Sequence, residues 1–346
     1  MKRIKKFIGA SLLLTLSLSL ASCGVKSETT SSKGNNLPEV VNIGTQQMPN
    51  DETIARAKGF FESELGVKVN IKEFDSGKDV NTALASKSID FGLLGTTPAT
   101  ISLASGIPVE VIWIHDVIGE VESLAVRNKS NIKSVAELKG KRIAVPFGST
   151  AHYSLLRGLK LNNLTEKDLT ILDMQPADIV AAWQRGDIDG AYVWQPTLQK
   201  LLGDGSVLVS SKNLAEKGAV TADIEVVRSE FSKKYPEIVS KYIGIQQKSH
   251  EIYESNLDDA VETVSKALQI SKDESSKQIK ESIWVSAKEQ LSDKYFGTSS
   301  NKGNLVNILK DTADFLADQK TIPSSPDIKV FENAVNPSYI EKALKK

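Results

Sequence analysis

Two stretches of this chain repeat one pattern: a short apolar run, a glycine, two adjacent hydroxyl residues, then helix-forming residues. One spans 140–156 and reads GKRIAVPFGSTAHYSLL; the other spans 89–98 and reads IDFGLLGTTP. In the first, Ile143, Ala144 and Val145 suit a strand buried on both faces of a parallel sheet. Pro146 ends that strand and Gly148 permits a tight turn. Ser149 and Thr150 stand where a helix carrying Tyr153, Leu155, Leu156 and Leu159 needs its N-cap. In the second, Thr97 reads as the N-cap and Pro98 as the first helical residue. A buried strand that feeds the open end of a helix restricts the chain to alternating β and α elements. The first amides of such a helix have no partner within it, so they suit an anion. No Gly-Lys-Ser/Thr follows a spaced glycine, so neither stretch is a nucleotide-phosphate loop. An ordinary capped βα turn has the same local pattern, so the rest of the chain decides between the two readings.

That alternation extends to both sides. Residues 40–44 read as a strand ending in Gln46 and Gln47, and Asn50 or Asp51 caps a helix through Ile54, Ala57, Phe60 and Phe61. Residues 67–74 alternate as a second strand, followed by the turn Asp75-Ser76-Gly77. Strands are expected at 89–94, 109–114, 122–127, 143–145, 169–172, 191–194, 207–209 and 224–227. Beyond Ser229 the apolar spacing is helical to about Leu316. The fold class is therefore α/β, with two lobes that are each a largely parallel sheet flanked by helices. The chain leaves the first lobe near residue 126 and returns near 226, giving lobe one as 39–125 and 227–346 and lobe two as 126–226. Two crossings make a hinge, and the cleft between lobes is the natural site. In such sheets ligands lie outside the carboxyl ends of the strands, where Gln46, Ser76, Thr96 and Thr97 fall.

The beginning of the chain is a sorting signal rather than part of the fold. Lys2, Arg3, Lys5 and Lys6 precede an apolar run from Phe7 to Leu20 that is short for a membrane span. Leu20-Ala21-Ser22-Cys23 resembles the lipobox of bacterial lipoproteins. In that family the signal, here 1–22, is removed and the cysteine receives a diacylglycerol. Cys23 is the chain's one cysteine, so it has no internal disulfide partner. Residues 23–38 are Ser, Thr, Lys, Gly and Asn with few apolar groups, which reads as a flexible tether. Lys plus Arg and Asp plus Glu are 43 each, so no overall charge points to nucleic acid.

The stretches 140–147, Ser149-Thr150, 152–156 and the run AAWQRGDIDGAYVW at 181–194 resemble the taurine-binding proteins of bacterial ABC importers. Phe74-Asp-Ser-Gly77 and Gly95-Thr-Thr-Pro98 share the resemblance, which covers nearly all of the mature chain. The wider family includes binders of alkanesulfonates, nitrate and pyrimidine precursors. The resemblance implies a type II periplasmic-binding fold, a monomer held outside the cytoplasm by its lipid anchor, and delivery of ligand to a membrane permease. A sulfonate is anionic at physiological pH, and amides and hydroxyls from Gln46, Ser76, Thr96, Thr97, Ser149 and Thr150 suit it. His152 lies in the first turn beyond them. An ammonium in a partly dry cleft needs a carboxylate. Asp223, which matches an aspartate position of the family, is the first choice, and Glu122 the second. Trp194 suits the two-carbon linker or a cation–π contact. Thr96-Thr97 stand where the family often has serines, and Gln47, Met48 and Asn50 depart from its loop.

Catalysis finds little support. No Gly-x-Ser-x-Gly elbow and no His-Glu-x-x-His occurs. The three histidines, His115, His152 and His250, are far apart, and no Cys/His cluster would bind zinc. No cofactor and no metal are expected. An enzyme built on the same fold is the remote alternative.

Overall fold

The computed structural model describes residues 37–345. The signal segment 1–22, Cys23 and all but the end of the 23–38 tether lie outside the described residues. Eleven strands follow in order: β1 (Val40–Thr45), β2 (Lys68–Glu73), β3 (Phe91–Gly95), β4 (Val109–Val117), β5 (Glu122–Arg127), β6 (Arg142–Val145), β7 (Thr170–Asp173), β8 (Gly190–Trp194), β9 (Gly205–Ser210), β10 (Ala222–Arg228) and β11 (Ile283–Trp284). They form a six-stranded sheet in the order β11-β4-β10-β3-β1-β2 and a five-stranded sheet in the order β7-β6-β8-β5-β9.

Each sheet has a parallel block and one reversed strand next to it. In the first sheet β1 pairs in parallel with β2 and β3, whereas β10 runs antiparallel to both β3 and β4. In the second, β6 pairs in parallel with β7 and β8, whereas β5 runs antiparallel to β8 and β9. The reversed strands β10 and β5 are the ones that arrive from the other sheet; β11, at the edge of the first sheet, is antiparallel to β4 as well. A strand entering from the cleft must point away from it, while the strands around it point their carboxyl ends toward it. This geometry brings the start of β10 and the start of β5 to the ends of β3, β4 and β8.

Lobe boundaries expected after residues 125 and 226 each fall inside a strand, because all of β5 belongs to the second sheet and all of β10 to the first. The chain changes sheet at 118–121 and at 211–221. There the segments touch, with the Ile118 amide donating to the Thr221 carbonyl at 3.0 Å.

Each sheet has its own apolar core. Val41, Ile43, Phe91, Trp113 and Tyr242 centre the first, with the Phe91 and Tyr242 rings stacked 4.2 Å apart. Ile143, Val145, Leu155, Trp183 and Tyr192 centre the second. Fully burying one such side chain contributes about 1.5–3 kcal/mol, so each lobe has a core of its own. Across the divide, Phe315 meets Tyr153 edge-on at 5.3 Å, Gln175 Nε2 donates to Ser76 Oγ at 3.3 Å, and Gln195 Nε2 donates to Glu281 Oε2 at 3.0 Å. Among the described residues no helix is long and apolar enough to cross a membrane.

Candidate functional site

Three helices begin at one pocket between the sheets: Gly77–Ala85, Thr96–Ala104 and Thr150–Leu161. Gly77, Gly95, Pro98, Ser149 and Thr150 from these starts line it. Each helix follows a strand or turn whose apolar side chains are pinned in a core, so its first turn is fixed against the cleft. The starts also crowd together. A Cβ on Gly77 would lie 2.5 Å from Pro98 Cγ, and one on Gly95 would lie 2.4 Å from Thr150 Cγ2. Glycine at these two positions is what lets three partial positive charges converge.

The pocket-lining hydroxyls at these starts, those of Ser149 and Thr150, are already engaged. Ser149 Oγ donates to the Pro146 carbonyl at 2.6 Å and accepts the His152 amide at 3.1 Å. Thr150 Oγ1 donates to Glu122 Oε2 at 2.5 Å. Gln46 Nε2 donates to the Leu93 carbonyl at 2.9 Å. An anion here would therefore meet first-turn amides rather than the Ser149 and Thr150 hydroxyls.

Beside these helix starts stand three buried carboxyl groups. Asp116 lies one residue from the end of β4, Asp223 is the second residue of β10 and the cross-strand neighbour of Gly95, and Glu122 begins β5; all three line the pocket. Asp116 and Asp223 are directly paired across β4 and β10, so their side chains share one face. Glu122 is paired with Trp194 across β5 and β8. It accepts from Thr150 and, at 2.6 Å, from Ser211 Oγ. Burial pushes the Glu122 carboxyl up to about 7 even though the Ser211 and Thr150 bonds pull it down. Burial also raises Asp116, against the pull of the His115 charge. Asp223 lies well above the usual range through burial and the negative charges of Asp116 and Glu122. Asp116 Oδ1 is buried and has no partner. No lysine or arginine is among the described residues that line the pocket.

A second buried network lies behind Asp116. His115 Nδ1 is 2.5 Å from Asp51 Oδ1, and its Nε2 is 3.1 Å from Glu225 Oε2. Trp113 Nε1 donates to Asp51 Oδ2 at 2.8 Å. Burial alone would lower His115, but Asp51 and Glu225 together hold it well above the ordinary histidine value. The register explains how neighbours on one strand serve two networks. Asp116 pairs with Asp223 and Ile114 with Ile224, so His115 is the extra residue of a bulge.

Of the residues singled out from sequence, Gln46, Glu122, Ser149, Thr150, Trp194 and Asp223 line this pocket and Ser76, Thr96, Thr97 and His152 do not. Ser76 Oγ donates to Asp79 at 3.0 Å. Thr96 belongs to the helix, with Gly95 in the N-cap position expected for Thr97; its Oγ1 accepts the Ala222 amide at 3.3 Å. Thr97 Oγ1 is buried without a partner. His152 stacks on Phe147 at 4.4 Å, and burial lowers it to about 4 against the pull of Asp173. Asp116, Gln195 and Ser282 were missed. For Asp116 the reason is specific: the apolar run stops at Ile114, whereas β4 continues to Val117 because His115 is held by Asp51 and Glu225 and Asp116 is in register with Asp223.

Residues 39–259 match the family described as the substrate binding domain of ABC-type glycine betaine transport systems. The chain is 35% identical over 290 residues to the taurine-binding periplasmic protein of Escherichia coli K12, covering 82% of this chain and 88% of that one. Its structure resembles the alkanesulfonate-binding protein of Xanthomonas axonopodis pv. citri bound to MOPS, with TM-score 0.72 and 23% identity, over 86% of this chain and 98% of that one. It also shares its fold with a desulfurization enzyme, with TM-score 0.64 and 14% identity, over 89% of this chain and 99% of that one.

Proposed function

The chain belongs to the family of substrate-binding domains of ABC-type transport systems, and we propose that it captures taurine, or a closely related ω-amino sulfonate, for an importer. The observation that carries this reading is that one pocket between the sheets gathers both kinds of group. Three helix starts with amides for an anion line it together with three buried carboxyl groups, with no lysine or arginine in the lining. Taurine carries a sulfonate and a primary ammonium a short chain apart. Trp194, Val121 and Met48 supply apolar surface for that chain. Glycine betaine fits less well, because a quaternary ammonium has no N–H to give a carboxylate and is better held by several aromatic faces. Plain alkanesulfonates, nitrate and pyrimidine precursors leave the carboxyl groups without a cation.

In the same proposal the protein is a monomeric carrier, not an enzyme, tethered outside the cytoplasm through a lipid on Cys23. Its lobes close on ligand about the crossings at 118–121 and 211–221, and Gln46 and the first-turn amides of the helix Thr150–Leu161 hold the sulfonate while Asp223, Glu122 and Asp116 hold the ammonium. Calorimetry with taurine, ethanesulfonate, glycine betaine and nitrate tests the ligand. Taurine is expected to bind tightest and to be recovered unchanged. Tighter binding of glycine betaine or nitrate would sink the reading. For the anchor, Cys23→Ser should move the protein from the membrane pellet to the soluble fraction.

A further inference from the structure

Three carboxyl groups share a space that offers them little compensation. Asp116 and Asp223 are cross-strand neighbours, and Glu122 approaches from the other sheet. Their exposures are 2%, 6% and 1%. Around them, β4 contributes His115, which is tied to Asp51 and Glu225 on its far side. The helix Asp51–Ala57 contributes Asp51 and Glu52, both negative when ionised. The segment before β11 contributes Ser282 to Asp116, and Glu281 is occupied by Gln195. From the second lobe Thr150, Ser154, Ser211 and Tyr192 surround Glu122, and each is uncharged at neutral pH. His115 is thus the nearest cation, and two carboxylates already share it. Like charges at this spacing in a dry pocket repel strongly, and the simplest relief is to keep protons on the carboxyl groups.

We propose that the pocket is a proton-exchange site, in which the trio Asp116, Asp223 and Glu122 is partly protonated when empty and releases protons as a primary ammonium enters. This inference rests on the reading of the pocket as the seat of an amino sulfonate. The balance is simple. The ligand keeps its ammonium proton, each participating carboxyl group becomes a carboxylate, and each lost proton goes to bulk water. The upward displacement of all three groups by burial agrees with this. The sign follows from linkage. Ligand binding that releases protons strengthens as pH rises through the range where the empty trio titrates, then levels off. Ethanesulfonate brings a negative charge and no cation, so it should favour the protonated trio and weaken as pH rises.

The test is calorimetric titration of the whole protein in phosphate and in Tris at one pH, together with dissociation constants between about pH 6 and 8, where taurine stays protonated. Taurine should release roughly half to one proton, with binding tightening about three- to tenfold per pH unit near neutrality. Ethanesulfonate should show the opposite slope. Glu122→Gln, Asp116→Asn and Asp223→Asn should each reduce the protons released by taurine, whatever they do to affinity. Buffer-independent heat with a flat pH profile for taurine overturns the proposal, and so does proton release unchanged in all three variants. Failure of folded protein to bind taurine at any pH would overturn the functional reading itself, and this inference with it.

Discussion

Two buried acidic networks lie side by side on β4 and β10. In one, Asp51 and Glu225 close on His115 from both sides, and Trp113 and Thr45 add further hydrogen bonds to Asp51 and to neighbouring Glu52. In the other, Asp116 and Asp223 face each other with no cation between them and an unpartnered Asp116 oxygen. Both are buried and both are rich in carboxyl groups. The first is complete in charge, because its carboxyl groups enclose His115 and so hold the end of β4 to the helix Asp51–Ala57, although Glu52 Oε1 and Glu225 Oε1 also lack a hydrogen-bond partner. The second is incomplete in charge, and the proposed ammonium would complete it. A single bulge at His115 separates the two.

The largest effect should come from breaking the complete network. His115→Leu leaves Asp51 and Glu225 buried and uncompensated, at a cost of about 3–5 kcal/mol. Urea unfolding should show it as a lower midpoint with unchanged slope. Asp116→Asn, one residue away, should leave the empty protein as stable or more so. If both substitutions cost the same, the two networks are not different in kind.

Breaking the incomplete network should change binding instead. Asp223→Asn is expected to weaken taurine by about 2–5 kcal/mol, roughly thirtyfold or more at about 1.4 kcal/mol per decade. Ethanesulfonate should bind equally well or better. Equal weakening of both ligands would make Asp223 structural and leave the ammonium to Glu122 and Asp116.

Acidity sharpens the comparison further. Glu122 is raised from 4.5 to about 7 in the fold. A carboxyl group raised on folding favours the folded state when protonated. Its contribution is complete below the unfolded value and is lost as pH rises through the folded one. The empty protein should therefore lose on the order of 3 kcal/mol or less from this group between about pH 4.5 and 7. His115 acts with the same sign above its ordinary value, so Glu122→Gln is the control that isolates the pocket. Unfolding midpoints at acid and mildly alkaline pH would check it. A Glu122→Gln variant with the parent's slope would contradict it.

The smallest effects belong to the helix start. Ser149→Ala removes the N-cap acceptor of Thr150–Leu161 and should cost about 1 kcal/mol of stability. His152→Ala loses its stack on Phe147, about 0.5–1.5 kcal/mol beyond its buried area. Because the Ser149 hydroxyl is already engaged and His152 does not line the pocket, taurine affinity should change less than about threefold, a small fraction of the 2–5 kcal/mol expected at Asp223. A larger loss for His152→Ala would place it in contact with ligand.

Much of this was legible in the amino-acid order. The apolar runs at 143–145 and 191–194 announce strands because strands buried on both faces admit little else. Ser149 announces a helix start because an orphan amide needs an acceptor, and it does cap that helix. Alternation of such units determined two lobes and a cleft at the carboxyl ends of strands, and it brought Gln46, Glu122 and Trp194 into consideration, while Asp223 came from the family resemblance. What tertiary structure alone decided is which neighbours meet. Asp116 looked like the residue after a strand, and only pairing with Asp223 across β10 carries it into the pocket. Ser149 and Thr150 looked like hydroxyl donors to a ligand, and only the approach of Pro146 and Glu122 takes those hydroxyls. His152 looked like their companion, and its side chain turns instead to Phe147. Local order sets propensity over a few residues. The Asp116–Asp223 pair and the bulge beside it join segments about a hundred residues apart, the Thr150–Glu122 bond spans 28, and their geometry is fixed only when the cores have packed.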